Sequence, residues 1–198
     1  MDALQFAFEP AARLWLQAGA KYATSKRIAG GAWNISLESA LKPYGLSLRG
    51  CANVFEAADV FRPRWKWKPD PMFQLWDVVY PPANLLARGG DDCDGWAMAH
   101  AQAVEAGLSD QGWHSAIISY YADPWWMSHH FAVAIDPHGG YWVLQPQPAE
   151  EQPEDSPTVY GPYGSFDDCL KQVSSWYQVG VGFWDIRTSM WESFSKEG

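Results

Sequence analysis

The sequence predicts an α+β fold in a single domain. Helical patterns dominate the first half of the chain and strand-like runs dominate the second half, an arrangement in which helices and an antiparallel sheet share one core. The length of 198 residues fits one domain, and 47% hydrophobic residues are enough to bury a core. We therefore treat 1–198 as one domain, with a helical N-terminal part over 1–62 and a core over 63–198.

The helices are predicted from apolar periodicity and from residues that favour helix ends. Ser165 is a suitable N-cap, and Asp168 follows it three residues later, at the spacing of a capping box. The clearest helix is rich in alanine and stops at Gly107, because glycine favours a helix C-terminus. The predicted helices cover 2–23, 51–61, 93–106 and 165–176.

The strands are predicted from apolar alternation and from β-branched and aromatic residues. Basic and aromatic residues alternate in 62–68, which favours a half-buried strand; the alternative is a patch for an anionic ligand. The glycine-containing turn at 136–140 predicts a hairpin. Residues 145–164 are rich in proline and glutamate, and we expect them to form a mobile loop. The predicted strands cover 62–68, 113–121, 130–135, 141–144 and 177–186.

The charge and the cysteine content exclude several classes of protein. A net charge of −9 argues against a nucleic-acid binder that relies on phosphate contacts. No apolar run approaches the ~20 residues of a membrane-spanning helix, and the N-terminus lacks the pattern of a signal peptide. Three cysteines without a CxxC pair indicate neither a disulfide framework nor a structural zinc site. We expect a cytoplasmic protein without a cofactor, a metal ion, a nucleic-acid partner or a membrane partner.

Cys93 stands where a loop becomes the predicted helix 93–106. The backbone N–H groups and the dipole at a helix N-terminus favour a thiolate and can hold an oxyanion. The neighbouring aspartates oppose this effect, because a nearby negative charge raises the pKa of a thiol. A cationic imidazole nearby would favour the Cys93 thiolate over the thiol. His129 and His130 can supply it, because they open a predicted strand that can return beside the helix.

Two other interpretations of these residues remain open. Cys93 can be a buried structural residue that is unrelated to the two adjacent histidines. A metal site made from Cys93, His100 and His129 is the second interpretation, because Cys93 and His100 lie two turns apart on one helix face. A calcium loop of the EF-hand type is excluded, since its twelfth position would fall on Ala103 or Gln102 rather than on a glutamate.

Two blocks of the sequence follow a common pattern. The first has an upstream Asp and Trp, spaced Pro and Leu residues, and a Gly-Asp-Asp-Cys-Asp segment before an alanine-rich helix. The second has a His before alternating apolar residues, a turn and an aromatic strand. The positions are Asp70, Pro71, Trp76, Pro82, Leu85, 90–94, 96–99, 130–135 and 141–144. Together, over roughly 65–146, they resemble the bacterial and phage transglutaminase-like cysteine peptidase family.

The resemblance implies a papain-like fold, in which a helix carrying the nucleophile packs on an antiparallel sheet carrying a histidine. It implies that Cys93 is the nucleophile and His130 the base. The third catalytic residue of the family, an Asp, falls on Gln145, whose amide oxygen can still accept the His130 N–H. The resemblance gives Asp92 a supporting role and makes Trp76 a candidate oxyanion donor, with core packing as the alternative role of Trp76.

The chain departs from the family pattern at two positions. Gly95 stands where the family has an acid after Asp94, and Gln145 cannot balance an imidazolium charge as an Asp does. Asp136 does not replace that acid, because at about 3.3 Å per residue it lies roughly 20 Å along the strand from His130.

The sequence therefore predicts an enzyme that transfers acyl groups through a thiol. Its substrate would be a peptide bond or a side-chain amide of a protein or peptide, and we expect hydrolysis in preference to transfer to an amine. Residues 145–164 would form a flap beside the site. The alternative is a binding or assembly module with the same fold and an aromatic-lined surface, which the 13 Trp residues would suit. If the protein is encoded by a phage, its place would be the host cytoplasm.

Overall fold

The computed structural model describes residues 36–60, 66–68, 80, 82–123, 129–144, 158–178 and 180–187. The helix predicted over 2–23 lies outside these residues. In chain order the elements are α1 (Leu37–Leu41), α2 (Val54–Asp59), β1 (Lys66–Trp67), α3 (Pro82–Arg88), β2 (Gly90–Asp91), α4 (Cys93–Leu108), β3 (His114–Asp123), β4 (His129–Ile135), β5 (Tyr141–Leu144), β6 (Val159–Tyr163), α5 (Phe166–Tyr177) and β7 (Gly180–Arg187).

Five strands form one antiparallel sheet in the order β6-β5-β4-β3-β7. The β4–β5 hairpin turns where the sequence predicts it: the Asp136 N–H donates to the Gly140 carbonyl at 2.9 Å. The Asp136 carboxylate accepts the N–H groups of His138 at 2.8 Å and Gly140 at 2.9 Å. The long helix α4 packs on this sheet, so the α+β class is confirmed.

Helix α4 is surrounded by the rest of the protein. It packs against β3 and β4 on one side and against α1 and α2 on the other. All its residues from 94 to 104 are buried, and the alanines among them let the sheet and the helices approach closely. At 16 residues it is the longest described helix, and no helix in the described part of the chain is long and apolar enough to cross a membrane.

The two faces of the sheet contact different helices. Successive residues of a strand point to opposite faces, so residues two apart share a face. The residues that join the core around α4 define the α4 face: Ile117, Ala132, Ala134 and Leu144. The alternate residues form a second core with Cys169, Leu170 and Val173 of α5: Ile118, Tyr120, Phe131, Val133 and Val143.

A small parallel pair of strands leads into α4. Strand β1 pairs with β2, and Lys66 lies opposite Gly90. The backbones approach so closely that a Cβ on Gly90 would lie 1.8 Å from the Lys66 carbonyl oxygen, and Gly90 has a φ of +143°. Only glycine fits both the conformation and the space, which explains a glycine directly before the aspartates. Lys66 is exposed and Trp67 is half-buried, as the alternation predicts for these two residues.

The structure corrects the predicted loop over 145–164. Residues 145–157 lie outside the described part, but 159–163 form strand β6, which pairs with β5 at the sheet edge. Strand β6 contains Gly161 and Pro162, which hide a strand pattern in the sequence; Pro is tolerated there because an edge strand need not donate every N–H. The short helices α1 and α3 were also not predicted.

Other elements agree with the prediction to within a few residues. Helix α4 extends two residues past 106, and β5 covers the predicted 141–144. Ser165 caps α5, accepting the Asp168 N–H at 3.2 Å.

His100 makes the stability of the fold depend on pH. The ring is fully buried in α4 next to Trp96, and burial lowers the pKa of His100 to about 4, partly offset by a hydrogen bond with the backbone of Ala58. An unfolded histidine has a pKa near 6.5, so the unfolded chain binds more protons between these values. We therefore expect the free energy of unfolding to fall by up to about 3 kcal/mol between pH 6.5 and pH 4.

Urea unfolding of the native protein and of His100→Gln, at pH 7 and at pH 4.5, measures this contribution. The free energy of unfolding of His100→Gln should fall less over this interval than that of the native protein. An unchanged pH dependence in His100→Gln would contradict the assignment.

Candidate active site

Cys93 is the first residue of α4, as the sequence predicts. Asp92 is the N-cap: its carboxylate oxygen Oδ1 accepts the Asp94 N–H at 3.3 Å. Cys93 is partly exposed, whereas Cys51 and Cys169 are buried. Burial raises the pKa of Cys51, and it raises the pKa of Cys169 to about 12. Of the three thiols, Cys93 therefore has the surroundings that suit reaction with a molecule from solution.

The charges around Cys93 are partly balanced inside the protein. Asp91 is buried, and its Oδ1 lies 3.6 Å from Nη2 of Arg88, whose guanidinium also stacks over the ring of Tyr80 at 4.0 Å. Asp94 is buried as well, and within the described residues neither of its carboxylate oxygens has a hydrogen-bond partner. The dipole of α4 favours a negative charge in this first turn. The sequence indicates that the negative charges of the neighbouring aspartates disfavour a Cys93 thiolate. The positive charge of Arg88 beside Asp91 reduces this effect.

Packing explains why residue 95 is a glycine. A Cβ at position 95 would lie 2.3 Å from Oδ2 and 2.6 Å from Cβ of Asp91, so the Asp91 side chain fills the space that a residue 95 side chain would need. In the family pattern an acid stands at position 95. Here the carboxylate next to that turn of α4 comes from β2, two residues before Cys93.

His130 lies in β4 with its side chain on the α4 face. It is two residues before Ala132, which belongs to the core around α4, and it pairs across the sheet with Ser119. The side chains of this pair meet: Nδ1 of His130 lies 2.8 Å from Oγ of Ser119. Both residues are buried, so the imidazole is held in a defined orientation.

The packing of α4 on β3 lets us estimate which turn of the helix lies nearest to the Ser119–His130 pair. Ser115 in β3 fixes the alignment, because its hydroxyl donates to the Ala101 carbonyl at 2.9 Å. Ser119 is four residues further along β3, about 13 Å at ~3.3 Å per residue, and the helix covers this length in about nine residues. Only a short connection separates α4 from β3, so we expect the two to run in opposite directions; the step then leads from Ala101 back toward the turn containing Cys93.

Tyr120 packs in the second core, on the opposite face of the sheet from Ser119 and His130. Burial raises the pKa of the Tyr120 phenol, and charges on Tyr177 and Cys93 raise it further. Within the described residues, no hydrogen-bond partner lies within reach of the buried Tyr120 hydroxyl.

His129 lies on the opposite face of the sheet from His130. Its ring centroid is 4.9 Å from that of Tyr177 in α5 and 6.0 Å from that of Tyr120. The metal site considered from the sequence, with Cys93, His100 and His129, is therefore not brought together. Within the ranges that the structure describes, no group of three His, Cys, Asp or Glu residues could hold a metal ion.

The remaining predicted site residues are only partly described. Gln145 and Trp76 lie outside the described residues, and their roles stay predictions. Asp136 is bound within its own hairpin, where it also accepts the Trp142 indole N–H at 2.9 Å. Sequence reasoning missed Ser119, because its only signal is alternation along β3, which places it on the same face as Ser115 and Ile117.

Comparisons with known proteins do not extend the resemblance. A scan against models of protein families finds no match, and no curated protein matches the sequence. The resemblance to transglutaminase-like peptidases therefore stays an expectation from the two sequence blocks.

Substitution of Gly95 tests the contact with Asp91. Alanine in an open helix position usually stabilises by up to about 1 kcal/mol relative to glycine. Here we expect Gly95→Ala to lower the free energy of unfolding by about 1–3 kcal/mol, because the new methyl group would overlap the Asp91 side chain. Urea unfolding measures the change.

The matched control is the same substitution in an Asp91→Ala background. The clash is removed there, so the cost of Gly95→Ala should shrink, and the two substitutions should not be additive. A Gly95→Ala protein as stable as the native one would show that Asp91 does not fill this space.

Proposed function

We propose that this protein is a thiol-dependent acyl-transfer enzyme with Cys93 as the nucleophile and His130 as the base. The observation that carries the proposal is the position of His130. Its ring is buried on the face of the sheet that packs against α4, and Nδ1 lies 2.8 Å from the Ser119 hydroxyl. With Nδ1 held, Nε2 is the ring nitrogen that can take the thiol proton.

The reaction that this arrangement supports has two steps. Nε2 of His130 accepts the proton of Cys93, and the thiolate attacks the amide carbonyl carbon to form a C–S bond. The C–N bond then breaks, and the leaving amine takes the proton from the imidazolium. Water, activated by His130, attacks the thioester; its proton passes through the imidazole to the thiolate, which leaves as Cys93 thiol with a free carboxylic acid as product.

Stabilisation of the oxyanion is assigned to the N-terminus of α4. The helix dipole places partial positive charge there. Asp92 accepts the Asp94 N–H, so the proposed donors are other N–H groups of that turn. The sequence adds the Trp76 indole as a further proposed donor. We also propose that the helix and sheet belong to a papain-like core, for which the buried α4 on an antiparallel sheet is the support.

A non-catalytic binding module is the second candidate, and one observation favours it. The described partner of His130 Nδ1 is a hydroxyl, which does not balance an imidazolium charge as a carboxylate does. The sequence likewise has Gln145 at the acid position of the family. In a module of this kind the Cys93 thiol would have an ordinary pKa.

Alkylation by iodoacetamide at pH 6.5 separates the two candidates. An ordinary thiol is almost fully protonated at this pH, whereas a thiolate paired with His130 reacts. We expect Cys93 to be labelled roughly tenfold or more faster than free cysteine, and His130→Gln to remove this advantage. Peptide mapping by mass spectrometry follows Cys93, with the buried Cys51 and Cys169 as internal references.

The matched control is His129→Gln. It removes the adjacent imidazole from the other face of the sheet, and Cys93 should keep the native labelling rate. The proposed function is wrong if native Cys93 reacts at the rate of free cysteine, or if His129→Gln slows labelling as much as His130→Gln.

Gln145 is tested by adding a charge. Gln145→Asp would place a counter-charge beside the imidazolium, which favours the thiolate–imidazolium pair, so Cys93 labelling below pH 6 should become faster. The alkylation rate against pH for the two proteins measures the effect. Identical profiles would remove Gln145 from the site.

A further inference from the structure

We propose that Ser119 in β3 is the positioning residue of this site: its Oγ accepts the Nδ1–H of His130 and directs Nε2 toward Cys93. This inference rests on the proposed function. It assigns the orienting role to a hydroxyl on the strand beside His130, whereas the family pattern assigns that role to position 145 on the following strand.

The first support is the contact itself. The Oγ to Nδ1 distance is 2.8 Å, which is a short hydrogen bond, and the two residues are paired across the β3–β4 ladder. The backbones of paired strands are fixed, so the hydroxyl meets the ring without any ordering of a loop. Positions on strands hold a side chain more firmly than positions on loops do.

The second support is burial. Ser119 is 0% exposed and His130 is 5% exposed, so bulk water competes little for Nδ1. A buried hydrogen bond fixes a ring orientation more firmly than an exposed one, because losing it would leave a polar atom without its partner. The same contact sets the orientation of the ring. Because Nδ1 faces Ser119 in β3, Nε2 lies on the side of the ring away from Ser119.

The chemistry of a hydroxyl predicts a particular behaviour. Ser119 can fix the tautomer with the proton on Nδ1, but it carries no charge to stabilise the imidazolium. Loss of the hydroxyl should therefore misdirect the base and leave most of the electrostatic environment intact. We expect Ser119→Ala to lower the Cys93 alkylation rate at pH 6.5 roughly threefold to tenfold and to shift the rate profile to higher pH.

Ser115 supplies a matched control in the same strand. It also faces α4, and its hydroxyl lies 2.9 Å from both the Ala101 carbonyl and Oε1 of Glu105 in that helix. Ser115→Ala therefore removes a hydroxyl from the same face of the same strand without touching His130. It should lower the melting temperature and leave the alkylation profile unchanged. Ser119→Thr keeps the hydroxyl in a residue that strands favour and should restore most of the native rate.

The experiment measures two quantities in native protein, Ser119→Ala, Ser119→Thr, Ser115→Ala and Gln145→Ala. The first is the pH profile of Cys93 alkylation. The second is the tautomer of neutral His130, from the nitrogen shifts of the ring. We expect the Nδ1–H tautomer of His130 in native protein and its loss in Ser119→Ala. Gln145→Ala should change the alkylation profile and the tautomer less than Ser119→Ala does. Circular dichroism melting reports whether each variant is folded.

Two failures are distinguishable. If native Cys93 is activated but Ser119→Ala and Ser115→Ala share the native profile and tautomer, Ser119 is only structural and the proposed function stands. If Gln145→Ala changes both quantities more than Ser119→Ala does, the positioning role returns to Gln145. If native Cys93 reacts as an ordinary thiol, the proposed function and the role of Ser119 both fail, whatever the tautomer.

Discussion

The burial of α4 against β3 and β4 is the constraint on which the rest of the structure depends. Ser115 fixes how the helix is aligned along the strands, and the small side chains of α4 let the sheet come close. We propose that the same alignment brings the first residue of α4 near one position of the sheet. That position carries the paired side chains of Ser119 and His130. Under this proposal, a thiol at a helix start and an imidazole on a strand are matched by packing.

The charges near Cys93 depend on the same packing. Asp91 ends the short strand before α4, and its side chain occupies the space beside Gly95, where Arg88 reaches its carboxylate. Residue 90 must be glycine for β1 to approach, and residue 95 must be glycine for Asp91 to fit. The two glycines of this segment therefore serve the geometry around Cys93, and the carboxylate beside residue 95 comes from β2.

Much of this arrangement can be predicted from local sequence patterns. Alanine content and Gly107 mark α4, and alternating apolar residues mark β4. The sequence does not predict β6, because Gly161 and Pro162 interrupt its apolar alternation. Its pairing with β5 at the edge of the sheet is a tertiary contact that local sequence does not encode. Ser119 was missed for a similar reason: a serine in a strand has no distinguishing signal until the β3–β4 register places it opposite His130.

The pKa of His130 tests the central claim most directly, because it reports the charge that faces the imidazole. Ring nitrogen shifts can be followed against pH in native protein and in Cys93→Ala. If a Cys93 thiolate faces His130, the native pKa is raised, and removal of the thiol lowers it, since the imidazolium loses its counter-charge. A His130 that titrates at the same pH in both proteins would contradict the pairing of Cys93 with His130.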